Sequence, residues 1–337
     1  MFRILSSVSI VGLLLAALAS PVIGQTRRRV PATTAQSLLA KLPESDAVAQ
    51  VNVKRVLTEA MPKLLAGNSA KMAEVDSQIE QFKTRTSLDL RSFDEIAVGM
   101  RYSYPSAGIT KIETVGLARG AYNTGAIVAA GKMAANGKYR EEKYLGKTIY
   151  IFTLDQQVKL LGLLDLKIRE LAVTPIDANT LALGDIDRVR NTVAASREKR
   201  RTNAELITLA TQDPSAIVGF GANVTSELIQ NLRIGNEAIA KDVSAVRQAY
   251  GSLGMTDKDL ELSVAARTVD ASSARSLGDT LEGLKQFGAL FTNRLSGSRG
   301  VLARSALGNL KITTQGNELK IRTAVAQSDV APLVGGL

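Results

Sequence analysis

The chain has 337 residues, a length typical of about two domains, and its 45% apolar and 22% charged residues match a globular protein. It contains no His and no Cys, which excludes Ser-His-Asp and Cys-His catalysis, His or thiolate metal ligation and disulfides. The formal charge of +10 favours anionic partners, but Lys and Arg are dispersed along the sequence, so nucleic acid is not an expected partner.

Residues 1–24 have the layout of a signal peptide. Arg3 precedes an apolar run over 4–19, and Ser20 and Pro21 separate that run from Val22-Ile23-Gly24. We expect cleavage after Gly24 and export to the periplasm or the extracellular space. An uncleaved anchor over 4–23 in the inner membrane is the alternative. Export without cysteine is typical of the bacterial envelope.

Residues 25–43 are predicted to be a flexible basic lead. Arg27, Arg28 and Arg29 directly follow the signal peptide, and together with it they favour transient contact with a membrane or with cell-wall polymer.

The first half of the mature protein is expected over 44–196. Its first strand, 47–53, follows the turn L-P-E-S-D at 42–46. Asn123 is a predicted N-cap, and the pattern around Pro62 predicts a kinked helix. The helices are predicted at 54–66, 71–85, 124–135, 155–170 and 186–195. The strands are predicted at 95–104, 111–120, 138–144, 147–152, 171–176 and 180–184.

A polar run beginning Ser196-Arg197-Glu198 lies near the midpoint, and residues 197–210 are predicted to be a linker. The second half, 211–337, begins with a strand that again follows a turn containing Pro and Asp, here Gln212-Asp213-Pro214-Ser215. Its strands are predicted at 216–222, 259–268, 310–314 and 318–325, and its helices at 226–232, 236–253 and 274–291.

The two halves match at three places in the same order, and one match pairs Arg119 with Arg267. An alternative register pairs Ile96 with Leu262. The predicted fold class is therefore α+β, with two related halves, each a mostly antiparallel sheet with helices packed on one face.

No stretch predicts catalytic, cofactor-binding or metal-ligating residues. Gly125 to Lys132 resembles a phosphate loop, but its glycine spacing is one residue too long and Met133 replaces the hydroxyl residue, so a helix is favoured. The residues with side-chain oxygens at 177, 179, 185 and 187 do not follow the pattern of a calcium-binding loop. They are predicted to serve in turns and as helix N-caps.

Two acidic pairs and a group of tyrosines are the remaining candidates. Glu141-Glu142 and Asp94-Glu95 are adjacent on strands and therefore point to opposite faces, which disfavours acid/base catalysis. A partner-binding face is predicted on the sheet of the first half. Its residues are Tyr102, Tyr104, Tyr139, Tyr144 and Tyr150.

The run L-P-E-S-D-A-V-A-Q-V-N-V at 42–53, with T-S-L-D-L-R-S-F-D-E-I-A-V-G at 86–99, resembles a group of exported bacterial proteins of unknown function. The segments L-A-R-G at 117–120 and N-T-L-A-L-G at 179–184 resemble that group as well. The resemblance implies export and a repeated α+β architecture, and it implies no catalytic residues.

We therefore expect a non-enzymatic protein of the bacterial envelope that binds a protein or polymer partner. The alternative is a periplasmic hydrolase or transferase that uses carboxylates or Lys, which would require acidic residues converging in a cleft.

Overall fold

The structure is a computed structural model that describes residues 38–86, 89–106, 108–153, 158–160, 164–166, 170–195, 201–232, 234–292 and 294–334. The predicted signal peptide and most of the basic lead lie outside these residues. From Leu38 onward the protein belongs to the core, because Leu38, Leu39 and Leu42 are buried.

One twelve-stranded antiparallel sheet forms the centre of the molecule, in the order β13-β14-β12-β11-β10-β1-β2-β3-β9-β8-β5-β4. A separate ribbon pairs β6 with β7. The strands are β1 Ala47–Val51, β2 Phe93–Ser106, β3 Ile109–Gly120, β4 Tyr139–Tyr144, β5 Lys147–Thr153, β6 Val158–Leu160, β7 Leu164–Leu166, β8 Glu170–Asp177, β9 Thr180–Gly184, β10 Val218–Asn223, β11 Val246–Met255, β12 Asp259–Thr268, β13 Lys311–Gln315 and β14 Glu318–Ala326.

Ten helical segments, besides a 3-10 turn at Leu90–Ser92, surround the sheet in the described part of the protein. The first, α1, consists of Val53–Arg55, the π-helical turn Val56–Ala60 and Met61–Leu64, so a change of helix type directly precedes Pro62. The others are α2 Ser69–Thr86, α3 Thr124–Ala134, α4 Ile186–Ala195, α5 Ala204–Ala210, α6 Ser226–Asn231, α7 Glu237–Ser244, α8 Ala271–Thr292, α9 Gly297–Gly308 and α10 Gln327–Val334.

The α+β class is confirmed, but the strands form one sheet rather than two. The first strands of the predicted halves, β1 and β10, pair antiparallel from Ala47↔Ala222 to Val51↔Val218, and β1 also pairs with β2. Hydrogen bonding across β1 and β10 therefore joins the strands of both predicted halves at the middle of the sheet.

Helices cover both faces of the sheet rather than one. Ile151 and Phe152 are consecutive in β5 and point to opposite faces. Ile151 belongs to the largest core cluster with Val189 of α4 and Leu206 of α5. Phe152 belongs to a cluster on the other face, against which Ile127 of α3 packs. Both faces of a central strand can be apolar only when both are covered.

Residues 204–210 of the predicted linker form helix α5, which packs on the sheet. Asn203 caps the helix by accepting a hydrogen bond from the Glu205 backbone N–H. Leu206 and Leu209 are buried in the main core. The charged residues before Asn203 obscured this short helix, because seven residues give little helical periodicity.

The contact between α5 and the sheet requires glycine in β10. A Cβ at Gly219 would lie 2.1 Å from the Ala210 carbonyl oxygen, and one at Gly221 would lie 2.8 Å from the Leu206 carbonyl oxygen. The sequence G-F-G therefore allows the helix backbone to approach the strand closely.

We expect Gly219→Ala to lower the free energy of unfolding by about 1–3 kcal/mol, because α5 must move away from the sheet. Urea denaturation measures this change. Gly254→Ala in β11 is the matched control, since its Cβ would meet nothing within 4 Å. Equal stability of the two variants would contradict the close contact.

Two predicted helices are wrong in whole or in part. Within the predicted helix at 155–170, the structure describes the strands β6 and β7, in which Val158 pairs with Leu166 and Leu160 with Leu164. The predicted helix at 236–253 ends at Ser244, and β11 begins at Val246. Pairing of β11 with β10 and β12 on both sides overrides the local helical pattern.

Candidate functional site

Of the five tyrosines predicted to form a partner-binding face, Tyr139 and Tyr150 lie together. The Nζ atom of Lys132 lies 5.0 Å from the centroid of the Tyr139 ring and 4.9 Å from that of Tyr150. The same ammonium group is 2.6 Å from Glu141 Oε1. The ring surface that these tyrosines offer is therefore already partly occupied by a cation from α3.

The other three tyrosines lie elsewhere. Tyr102 and Tyr104 are at the end of β2, where the Tyr104 hydroxyl is 2.5 Å from Thr225 Oγ1. Burial, together with the charge of Asp46, raises the pKa of Tyr102 to about 12. Tyr144 packs against the main core cluster on the face opposite Tyr150. The structure thus divides the five tyrosines among three places.

The acidic pairs do not converge on a common point. Glu142 forms an ion pair of 2.6 Å with Arg190, whereas Glu141 pairs with Lys132 on the other face of β4. Glu95 pairs with Arg119. In the ranges that the structure describes, no group of three or more Asp or Glu side chains is arranged to hold a metal ion.

The other motifs have the structural roles that the sequence favours. Residues 124–134 are helix α3, and Gly131 allows its close contact with the Phe152 ring. Asp177 accepts a hydrogen bond from the Asn179 backbone in a turn, and Asp185 accepts one from the Thr114 backbone.

An open groove of about 600 Å³ lies on the sheet face beyond α5, along strands β11–β14. Lys311 and Arg322 are directly opposite each other there and are both exposed. Glu318 lies on the same face and pairs with Lys320 at 2.9 Å. Carboxylates and cations are thus mixed in this groove, as expected for a solvated face next to a charged edge strand.

The hairpin formed by α8 and α9 carries a second exposed surface. Unlike the groove, it is not explained as a solvated face next to a charged edge strand. The buried residues of α8 are Ala274, Leu277 and Gly278, all in its first part, where Leu277 packs against Leu319 of the sheet. Farther along, Gly288 of α8 contacts Leu307 of α9.

Six large apolar side chains near the turn of this hairpin are between 43% and 66% exposed. The Phe287 and Phe291 rings lie 4.9 Å apart between centroids. Exposed apolar side chains grouped in this way are typical of an interaction surface, whereas scattered ones are ordinary. We call this group the apolar tip; it consists of Leu284, Phe287, Leu290, Phe291, Leu295 and Val301.

Basic residues occur in the same stretch of sequence as the apolar tip. No Asp or Glu occurs between Glu282 and Glu318, whereas five basic residues do. Arg294 lies over the Phe291 ring at 5.7 Å. Arg304 donates to the carbonyl oxygens of Thr292 and Leu295, both at 3.0 Å, and so stabilises the end of α8. Arg294 and Arg299 are exposed and form no ion pair within the described residues.

The predicted amphipathic pattern of residues 274–291 placed Leu284, Phe287 and Leu290 on the apolar side of a helix. The sequence alone does not show that this apolar side is exposed near the end of α8, because its burial depends on how far the sheet extends beneath the helix. Among the helices that the structure describes, none combines the length and apolar composition needed to cross a membrane.

Comparisons with known proteins show a distant likeness. No protein-family model matches the sequence, and no curated protein matches it. Crystal form III of the Treponema pallidum protein TP0453 has a TM-score of 0.42 at 12% identity and covers 89% of this chain and 98% of its own. Crystal forms I and IV have TM-scores of 0.41 at 10% identity, covering 89% and 96% of this chain and 96% and 99% of their own.

Proposed function

We propose that this protein is a non-enzymatic protein of the bacterial envelope that binds an anionic membrane surface through the apolar tip. The observation that carries the proposal is the exposure of six large apolar side chains at one end of a helical hairpin. An interfacial helix combines such an apolar side with Lys and Arg, and it lies in the headgroup region without crossing the bilayer.

The charge near the tip favours a lipid surface over a protein partner. No acidic residue occurs between Glu282 and Glu318, and the exposed Arg294 and Arg299 form no ion pair within the described residues, whereas Lys285 pairs with Glu282 and Lys311 lies in the groove. Anionic headgroups attract such a segment, with about 1 kcal/mol for each Lys or Arg close to the surface. The predicted export signal and Arg27–Arg29 support a location beside a membrane, and the predicted protein or polymer partner is the rival outcome of the tests.

We propose a non-enzymatic function because the carboxylates that could serve in acid/base catalysis do not lie together. Glu141, Glu142 and Glu95 each contact a different cation. The alternative of a carboxylate-dependent hydrolase would need two such groups beside one substrate atom.

We also propose that the two halves arose by duplication. The strand order is consistent with it, since β1, β2, β3 and β9 run outward on one side of the centre and β10, β11, β12 and β14 on the other. Corresponding hydrogen bonds support it too: Gly120 N–H donates to Asn179 O at 3.1 Å, and Thr268 N–H donates to Asn317 O at 2.9 Å. These bonds agree with the register that pairs Arg119 with Arg267.

Reversal of charge beside the tip tests the choice of an anionic surface. We expect the double variant Arg294→Glu, Arg299→Glu to bind anionic phosphatidylglycerol vesicles at least 30-fold more weakly, because about 2 kcal/mol of attraction is lost and the two glutamates add repulsion. Binding to zwitterionic phosphatidylcholine vesicles should not change. Vesicle co-sedimentation at fixed ionic strength measures both.

The matched control is the double variant Lys54→Glu, Lys258→Glu. It changes the net charge by the same amount at two exposed positions outside the sequence of the α8–α9 hairpin. All variants retain residues 1–24, so differences between them do not arise from the predicted signal peptide. An equal loss in the control, or an equal loss on both kinds of vesicle, would contradict a specific electrostatic contact at the tip.

A further inference from the structure

A buried arginine on α4 lacks the partners that a buried charge needs. Arg188 is 3% exposed, and it forms no ion pair with any carboxylate in the described ranges. Its Nη2 atom donates to Ser45 Oγ at 2.8 Å, and its Nε atom is buried without a hydrogen-bond partner. Buried guanidinium groups are normally paired or fully hydrogen-bonded.

The surroundings of Arg188 fix its position. The Ser45 hydroxyl donates to the Pro43 carbonyl oxygen at 2.7 Å, so its lone pairs remain available to the guanidinium group. The Thr192 hydroxyl donates to the Arg188 carbonyl oxygen at 2.9 Å within α4. Burial lowers the pKa of Arg188 and the neighbouring charge of Arg101 lowers it further, while the carboxylates of Glu113, Asp46 and Asp185 act in the opposite direction without forming an ion pair with it.

Arg188 lines a cavity of about 240 Å³. Three charged neighbours line it as well: Arg101, Glu44 and Glu113. Arg101 is already paired with Glu44 at 3.0 Å, and Glu113 is paired with Lys111. Among the charged groups that line this cavity, only the guanidinium group of Arg188 lacks a counter-charge.

We propose that this cavity binds one small carboxylate as a monoanion, with Arg188 as its counter-charge. A carboxylate offers two oxygens to the planar guanidinium group, which supplies parallel N–H donors. The volume admits a ligand of a few heavy atoms. A dianion such as phosphate is disfavoured, because Glu44 and Glu113 line the same space.

Two variants separate the charge of this site from its shape. Arg188→Met removes the guanidinium group, and folding is commonly preserved when an apolar residue replaces a buried charge. Ala194→Leu fills the cavity from the next turn of α4 and leaves Arg188 and Ser45 unchanged. Arg190→Met is the matched control, because Arg190 is on the same helix but pairs with Glu142 outside the cavity.

Isothermal titration of the full-length protein with sodium acetate, against sodium chloride at equal ionic strength, tests the proposal. We expect one saturable site in the unchanged protein and in Arg190→Met, and a loss of affinity of roughly tenfold or more in Arg188→Met and Ala194→Leu. Inorganic phosphate should bind more weakly than acetate. N-acetylalanylalanine serves as a mimic of a peptide carboxyl terminus, and its affinity relative to acetate tells which source of carboxylate the site accepts.

Absence of saturable binding by both carboxylates would overturn the proposal and would mean that the cavity holds water only. Equal affinity for acetate in Arg188→Met would overturn it too, as would phosphate binding at least as tightly as acetate. If circular dichroism shows that Arg188→Met does not fold, the result for Ala194→Leu decides, because this substitution fills the cavity and retains the charge of Arg188.

Discussion

Replacement of Phe287, Leu290 and Phe291 together by serine is expected to weaken binding to anionic vesicles about 100-fold. Full burial of one such residue stabilises by about 1.5–3 kcal/mol, and about half of each side chain is exposed, so each adds about 1 kcal/mol on insertion. A total of about 3 kcal/mol corresponds to about a hundredfold change in the partition coefficient. Vesicle co-sedimentation over a range of lipid concentrations measures it.

The triple variant should also be folded and as stable as the unchanged protein, because the three side chains are not part of the core of α8. The control replaces Ile109, Met133 and Leu145 by serine, three apolar residues that are exposed away from the hairpin. If the control loses as much affinity as the tip variant, nonspecific apolar contact rather than the tip binds the lipid.

The second large effect is expected at Leu206 in the predicted linker. Leu206→Ala should lower the free energy of unfolding by about 2–5 kcal/mol, because Leu206 is fully buried between α5 and the sheet and its truncation leaves a cavity. Urea denaturation followed by circular dichroism measures this change.

Leu232→Ala makes the same chemical change at a residue that is 59% exposed and should alter stability by at most about 0.5 kcal/mol. A flexible linker over 197–210 would make both substitutions neutral. That result would contradict the packing of α5 on β10.

The elements with strong local signals could be predicted from the sequence. Helix α4 has the predicted bounds Ile186–Ala195, and β12 has the predicted bounds Asp259–Thr268. Asn123 caps α3 as predicted, by accepting a hydrogen bond from the Ala126 backbone N–H. Each of these signals lies within a few residues of the element that it defines.

The elements that depend on distant contacts could not be predicted. Helix α9 contains Gly297, Gly300 and Gly308, which are poor helix formers, so its stability comes from packing against the sheet and α10 rather than from propensity. The pairing of β1 with β10 joins residues about 170 positions apart, and no local pattern indicates it.

The two proposed sites were missed for the same reason. The apolar pattern of α8 was visible, but its exposure depends on the edge of the sheet. Arg188 looks like an ordinary helix arginine in the sequence, and its burial follows from contact with Ser45, 143 residues away. A pattern in one segment cannot show which residues from another segment will cover it.

A single tryptophan at the tip gives the most direct test of membrane binding. The protein contains no Trp, so Phe291→Trp creates the sole tryptophan reporter, and Ile109→Trp creates a comparison reporter at an exposed apolar position outside the hairpin. We predict that anionic vesicles shift the emission of Phe291→Trp to shorter wavelength and that brominated lipids quench it, while Ile109→Trp does not respond. Emission of Phe291→Trp that stays unchanged under saturating lipid, or an equal response at both positions, would contradict insertion of the apolar tip.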